Sequence, residues 1–261
     1  MQIIWLDTVD STNSEALRRL PSLPGPVVLA AREQTAGRGQ RGNQWFSEPD
    51  RNLTFSIVLR FGQVEAPASG NGLSSLDSLP ALPIADAPWL NFLTANVVAD
   101  FVAGLGVDCR IKWPNDVYAG RNKLCGMLIE NSLSGGSVAA SVIGIGLNIN
   151  QLEFPQLARA TSLARLTGDH YDLSASLAAL VAEFESALPV LFDPSLRPSL
   201  LERYCARLFQ KDVRARYHDL LTGREFDGIL RGVEPDGRLL VEDCQTGAPL
   251  LYRFKEVGYI L

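Results

Sequence analysis

Apolar and polar positions alternate along the chain in blocks that name most of its elements. Ile3–Leu6 is a short apolar run and reads as a strand. Thr12 and Glu15 have capping-box spacing ahead of an apolar face made by Ala16, Leu17 and Leu20, and Pro21 closes that helix. Val27–Ala31 and Asn52–Arg60 read as buried strands. Leu93, Val97, Val98, Phe101, Val102 and Leu105 recur at helical spacing before the glycines at 104 and 106. From Cys109 to Asn150 the period falls to that of strands: Cys109–Trp113, Val117–Ala119, Lys123–Asn131 and Val138–Ile149, with Gly120-Arg121-Asn122 as a hairpin turn. Two helices follow, one through Leu177, Leu180, Val181, Phe184 and Leu188, the other through Leu200, Leu201, Tyr204, Cys205 and Leu208.

Two stretches break this rhythm. Residues 62–88 are small, polar and proline-bearing, and read as an inserted mobile loop. From about residue 212 to 261 short apolar runs are separated by Thr222-Gly223, Pro235-Asp236-Gly237 and Gln245-Thr246-Gly247, which suits a compact five-stranded barrel. The pattern therefore predicts an α+β unit over 1–210 and a small β-barrel over 211–261.

Composition narrows the chemistry. The chain has 261 residues, 46% of them hydrophobic and 20% charged, as in a soluble globular protein. Its net charge of −5 supplies no general basic field for nucleic acid, so no DNA partner is expected. Four scattered cysteines without a C-x-x-C pair argue against a zinc knuckle or a disulfide framework and for a reducing cytoplasm. Two distant histidines leave a histidine-based triad or metal site poorly supported. No basic leader precedes a long apolar stretch, and no 18 residues are uninterruptedly apolar, so neither a signal peptide nor a membrane span is expected. Only four lysines occur, and two of them, Lys112 and Lys123, share one short segment. A lysine kept in so arginine-rich a chain hints at work for a compact ammonium.

Two segments carry candidate chemistry. Ala36-Gly37-Arg38-Gly39-Gln40-Arg41-Gly42 contains G-x-G-x-x-G after a strand. A dinucleotide site would need a helix to begin within it, and Asn43 to Asp50, with Pro49, offers none. What remains is a glycine loop whose N–H groups and arginines suit a polyphosphate or an acyl phosphate, or else a solvated turn. The second segment, Lys112-Trp113-Pro114-Asn115-Asp116, sets a lysine at the end of a strand expected to be buried. A turn then presents Asn115 and Asp116. Lys112 suits a phosphate or carboxylate, and Asp116 suits a metal ion or the orientation of that lysine. An ordinary Asn-Asp turn is the plainer alternative.

In order along the chain, Ser11-Thr12-Asn13, Gln34-Thr35-Ala36-Gly37-Arg38-Gly39, Lys112-Trp113-Pro114-Asn115-Asp116, Lys123-Leu124-Cys125-Gly126-Met127-Leu128-Ile129-Glu130 and Gly144-Ile145-Gly146-Leu147-Asn148-Ile149-Asn150 resemble the motifs of biotin protein ligases. The resemblance spans nearly the whole chain. It implies a mixed-sheet catalytic domain of the biotin/lipoate ligase type, similar to class II aminoacyl-tRNA synthetases, with a C-terminal Src-homology-3-like β-barrel. It implies a biotin–[acetyl-CoA carboxylase] ligase that makes biotinyl-5′-AMP from biotin and ATP with Mg2+, holds no tight prosthetic group, and then biotinylates a lysine of the biotin carboxyl carrier domain. The motif at residue 11 points to the monofunctional form, without an N-terminal DNA-binding domain.

By this resemblance Lys112 and Arg38 would be catalytic. Ser11, Thr12, Asn13, Gln34, Gly37 and Gly126 would join them around biotin. Arg38, Gly39, Gln40, Arg41, Trp45, Asn115 and Asn148 would hold the nucleotide, and Asp116 the metal. Residues 37–44 would be disordered until ligand binds and would then shield the adenylate. Gln40 and Asn43 replace arginines of some members, which bears on how firmly the adenylate is retained. Two alternatives stay open: a lipoate or octanoate ligase, whose Arg-Arg-x-x-Gly-Gly-Gly stretch is absent, and a non-catalytic adenylate-binding regulator. A homodimer through a sheet edge also stays open.

Overall fold

A computed structural model describes residues 1–23, 25–62, 79–155, 157 and 159–260, with every side chain among them but that of Arg41. Its first sheet is built from β1 (Gln2–Val9), β2 (Val27–Gln34), β3 (Leu53–Arg60), β4 (Leu82–Pro83), β5 (Arg110–Lys112), β6 (Asp116–Ala119), β7 (Asn122–Ser134) and β8 (Ser137–Leu147). The order is β1-β2-β3-β8-β7-β6-β5, with β4 paired to β8. Only β1 and β2 run parallel; the other pairs are antiparallel. The helices are α1 (Thr12–Arg19), α2 (Ala87–Gly104), α3 (Leu163–Thr167), α4 (Leu173–Ala187) and α5 (Arg197–Ala206).

The two faces of the sheet differ because a strand turns successive side chains to opposite sides. On β8 Ile143, Ile145 and Leu147 enter the main core, as do Cys125 and Met127 on β7 and Phe55, Ile57 and Leu59 on β3. α2 lies in that core and is buried nearly all round, from Trp89 to Val102. The intervening positions, Ser56, Gly126, Leu128, Glu130, Gly144 and Gly146, therefore face the other way. Only part of that second face is apolar: Ala16 of α1 packs with Val27, Leu29, Val58 and Val142. The rest is left small or polar, and the candidate site lies there.

The second sheet comprises β9 (Arg214–Asp219), β10 (Glu225–Val233), β11 (Leu239–Asp243), β12 (Pro249–Tyr252) and β13 (Val257–Ile260), all antiparallel in the order β12-β11-β10-β9-β13. Tyr217, Phe226, Leu230, Leu239, Val241, Tyr252 and Val257 fill it, and they belong to the same continuous core as α2 and α5. The Trp113 indole N–H donates to the Gly237 carbonyl at 3.0 Å, tying the two sheets together beside the site.

Several expectations are corrected. The capping box does not form. Ser11 is the N-cap, and no side chain caps the helix there. Thr12 instead accepts from Ser56 Oγ at 2.8 Å, and Glu15 pairs with Arg18 and Arg19. The strand carrying Lys112 is the outermost of its sheet, not a central one, although Ile111 bridges Leu208 on its far side. Of the expected inserted loop, residues 63–78 lie outside the described residues, whereas Leu82–Pro83 pairs with β8 and Ile84–Asp86 forms a 3-10 turn. Leu173–Phe192 is long and apolar enough to cross a membrane by length and composition. It nevertheless carries Glu183 and Glu185, breaks into a 3-10 turn at Leu188, and sets Leu177, Leu180, Val181 and Phe184 into the core.

Candidate active site

The floor of the site follows from the glycines of β7 and β8. Gly126 pairs with Gly146, and Gly144 with Leu128. A methyl group at Gly146 would lie 2.3 Å from Trp45 Cε2, and one at Gly144 would lie 2.2 Å from Asn13 Oδ1. One at Gly126 would meet both the Lys123 stem at 2.9 Å and Trp45 at 3.1 Å. Bare backbone is thus the condition for the Trp45 ring and the Asn13 carboxamide to lie directly on the sheet. Above this floor opens a cleft of about 380 Å³.

The turn before α1 and the glycine loop build one wall. Ser11, Thr12 and Asn13 are all buried. Gln34 Oε1 accepts from the Thr12 N–H at 2.7 Å. Asn13 Oδ1 accepts from Ser56 Oγ at 2.6 Å, and Asn13 Nδ2 donates to Glu130 Oε2 at 2.9 Å and to the Leu128 carbonyl at 3.1 Å. Glu130 in turn takes the Arg38 guanidinium as a fork, at 2.7 and 3.1 Å. The loop expected to be disordered without ligand carries a short frame of its own. Gly39 N–H donates to the Asn43 carbonyl at 2.7 Å, Trp45 N–H to the Gly37 carbonyl at 2.9 Å, and Gln40–Gly42 is a 3-10 turn. No crossover helix follows it, so the glycine motif is not a dinucleotide cradle.

The opposite wall is the Lys-Trp-Pro-Asn-Asp turn, which is held from behind. The Pro114 carbonyl accepts from Asn91 Nδ2 and from Tyr204 Oη, both at 2.7 Å, and Asn115 Nδ2 donates to the Met127 carbonyl. Asp116 pairs with Lys123 at 2.8 Å and not with Lys112. The expected orientation of Lys112 by Asp116 is therefore replaced by a pairing across β6 and β7. Among the described residues no carboxylate is paired with Lys112. Its ammonium lies 3.4 Å from Tyr118 Oη, with ring centres of Tyr118 at 5.0 Å and Tyr259 at 5.2 Å. Burial pushes the Lys112 pKa below the ordinary lysine value, opposed in part by the field of Asp116. Burial also lifts the Tyr118 phenol to about 12.

Ser11, Thr12, Asn13, Gln34, Arg38, Gly39, Gln40, Trp45, Lys112, Asn115, Asp116 and Gly126 all line the one cleft. Gly37 lies just behind it, under the Trp45 carbonyl. Asn148 does not line it. It is buried, with Nδ2 donating to the Thr161 carbonyl at 2.9 Å and Oδ1 without a partner among the described residues. The Arg41 side chain lies outside the described ones. Among the described residues no three His, Cys, Asp or Glu side chains converge as metal ligands, and Asp116 is already engaged by Lys123. Sequence reasoning missed Ser56 and Glu130 beneath the wall, and the rim supplied by Phe254 in the turn before β13 and by Val257, Gly258 and Tyr259 of β13. The motif around Lys123 holds Glu130, so that signal was at hand; the C-terminal residues carry no motif.

Comparison with known proteins finds relatives over most of the chain. A model of the biotin/lipoate A/B protein ligase family matches residues 5–148. The chain is 33% identical over 257 residues to the biotin--[acetyl-CoA-carboxylase] ligase of Paracoccus denitrificans, covering 92% of this chain and 98% of that one. It is 31% identical over 242 residues to the bifunctional ligase/repressor BirA of Escherichia coli, covering 91% of this chain and 68% of that one. Its fold matches the biotin protein ligase of Aquifex aeolicus solved with biotin and ATP, at a TM-score of 0.71 and 24% identity over 98% of this chain and 97% of that one.

Proposed function

Because the chain belongs to the biotin/lipoate A/B protein ligase family, we propose that it activates biotin with ATP and passes the biotinyl group to a lysine of the biotin carboxyl carrier domain of acetyl-CoA carboxylase. In the first step a biotin carboxylate oxygen attacks the α-phosphorus and pyrophosphate leaves. In the second an amine attacks the acyl carbon of biotinyl-5′-AMP, AMP leaves and the amine gives up its proton. The carboxylate is already ionised at neutral pH, so the first step needs no base. It needs two anions brought together.

The observation that carries this reading is Lys112: an ammonium at the cleft that, among the described residues, no carboxylate pairs with. Its charge is left for the incoming carboxylate and α-phosphate. Arg38 faces it from the loop and exchanges Glu130 for ligand oxygens. Thr12, Asn13 and Gln34 are placed to hydrogen-bond biotin along the wall, Trp45 to cover the ligand from the glycine shelf, and Gly39 and Gln40 to line the phosphates. Asn148, buried outside the cleft with its Nδ2 on the Thr161 carbonyl, is left out of the nucleotide's contacts in this reading. Magnesium arrives on the phosphates of ATP as part of the substrate; among the described residues no three His, Cys, Asp or Glu side chains converge beside it.

Biotin-dependent ATP–pyrophosphate exchange tests the reading. Exchange with biotin supports it. Exchange with lipoate and none with biotin moves the assignment to a lipoate ligase, and tight biotin binding without exchange moves it to a regulator. Four free cysteines, two of them buried, suit a cytoplasmic setting.

A further inference from the structure

The ammonium of Lys112 is held in an unusual way, and half of the holding comes from the far end of the chain. Tyr118 of β6 and Tyr259 of β13 both lie near it, with ring centres 5.0 and 5.2 Å from Nζ, and the Tyr118 hydroxyl accepts from it at 3.4 Å. Both distances are within reach of a cation–π contact, which is strongest where water is excluded. The remaining charged groups that act on Lys112 are Asp116 on β6, Lys123 on β7 and Arg159. Asp116 is engaged by Lys123. Among the described residues no carboxylate pairs with the ammonium; the Tyr118 hydroxyl accepts from it at 3.4 Å, and the Tyr259 ring adds a contact that stabilises the charge without neutralising it.

Tyr259 packs against the core and also faces Lys112. Its Oη is buried with no partner among the described residues, so the phenol contributes no hydrogen bond to the fold. Its ring is fixed from behind by Tyr217, centre to centre at 5.5 Å, which itself stacks on Phe226 at 5.7 Å in the barrel core. The register of β13 on β9 sets Tyr259 opposite Tyr217. Tyr259 also lines the cleft. We propose that Tyr259 is a positioning residue for Lys112: the barrel delivers its ring within cation–π reach of the ammonium, which also donates to the Tyr118 hydroxyl, so that the charge stays directed at the cleft.

The proposal rests on the reading of Lys112 as the cation that meets the substrate anions, and the test separates the two. Tyr259→Phe and its di- and trifluorinated analogues keep the shape of the ring while draining its face of negative charge. Biotin-dependent pyrophosphate exchange is expected to fall steadily along the series, by about 10-fold at the trifluorinated end. The melting temperature should hold level. In the Lys112→Met background the same series should be flat. A flat series in the natural background, or a fall of equal size in both, overturns the proposal, the second because the ring would then act on something other than Lys112. Full exchange by Lys112→Met alone overturns the reading beneath it as well. Tyr259→Leu gives a coarser check, with an expected loss of about 10-fold.

Discussion

Replacing Lys112 by methionine removes a charge and keeps most of the buried stem. The structure gives this exchange opposite consequences for activity and for stability. A cation about 4 Å from a unit negative charge, at an effective dielectric of about 20 near a protein surface, interacts by about 4 kcal/mol. Arg38 and Lys123 share the field, so a loss of about 3 kcal/mol is expected, or more than 100-fold in exchange rate. For a salt-bridged cation, deletion would also orphan a carboxylate and destabilise the fold. Among the described residues Lys112 has no such partner, and its burial disfavours the charged form. The variant should therefore melt no lower than the parent. The pH dependence has a definite sign. The folded pKa is below the unfolded one, so in the window between them the unfolded chain binds more protons and stability rises with pH. Lys112→Met should flatten that alkaline rise. Exchange reduced less than about 10-fold, or a melting temperature lowered by several degrees, would refute the reasoning from an unneutralised cation.

Three further outcomes follow from the same geometry. Glu130→Gln weakens the fork on Arg38, worth about 1 kcal/mol for a pair this exposed, and should speed ligand-free proteolysis within residues 37–44 about fivefold; an unchanged cleavage rate would show that Glu130 does not hold the loop. Gly146→Ala drives a methyl group into the Trp45 ring and should cost about 1–3 kcal/mol in denaturant unfolding or expel the ring from the shelf, read as a red-shifted emission that is absent in Gly146→Ala/Trp45→Phe. Gly144→Ala collides with the Asn13 carboxamide and should weaken biotin binding by calorimetry at least 10-fold, whereas Gly136→Ala, where nothing lies within 4 Å, should leave binding as it was.

What could be read from the chain beforehand tracks how locally each feature is encoded. Lys112, Asn115 and Asp116 sit within five residues on one turn, so their shared wall is visible as a motif. The glycines at 126, 144 and 146 are visible as residues, but their purpose is not: each leaves room for a side chain far away in sequence, Trp45 or Asn13. The capping box failed for a related reason. The spacing of Thr12 and Glu15 is local, yet Ser56, 44 positions on, takes Thr12, and Arg18 with Arg19 takes Glu15. A buried partner outcompetes a solvent-exposed cap because an unsatisfied hydroxyl inside costs more than an uncapped helix end that water can reach. The same logic hides Tyr259. Nothing near it in sequence marks a site, because its role is set by the pairing of β13 with β9 and by the Trp113 to Gly237 bond that fixes the second sheet beside the first. The small sheet is therefore part of the cleft in a physical sense: it lines the cleft and sets an aromatic ring within cation–π reach of the half-buried Lys112.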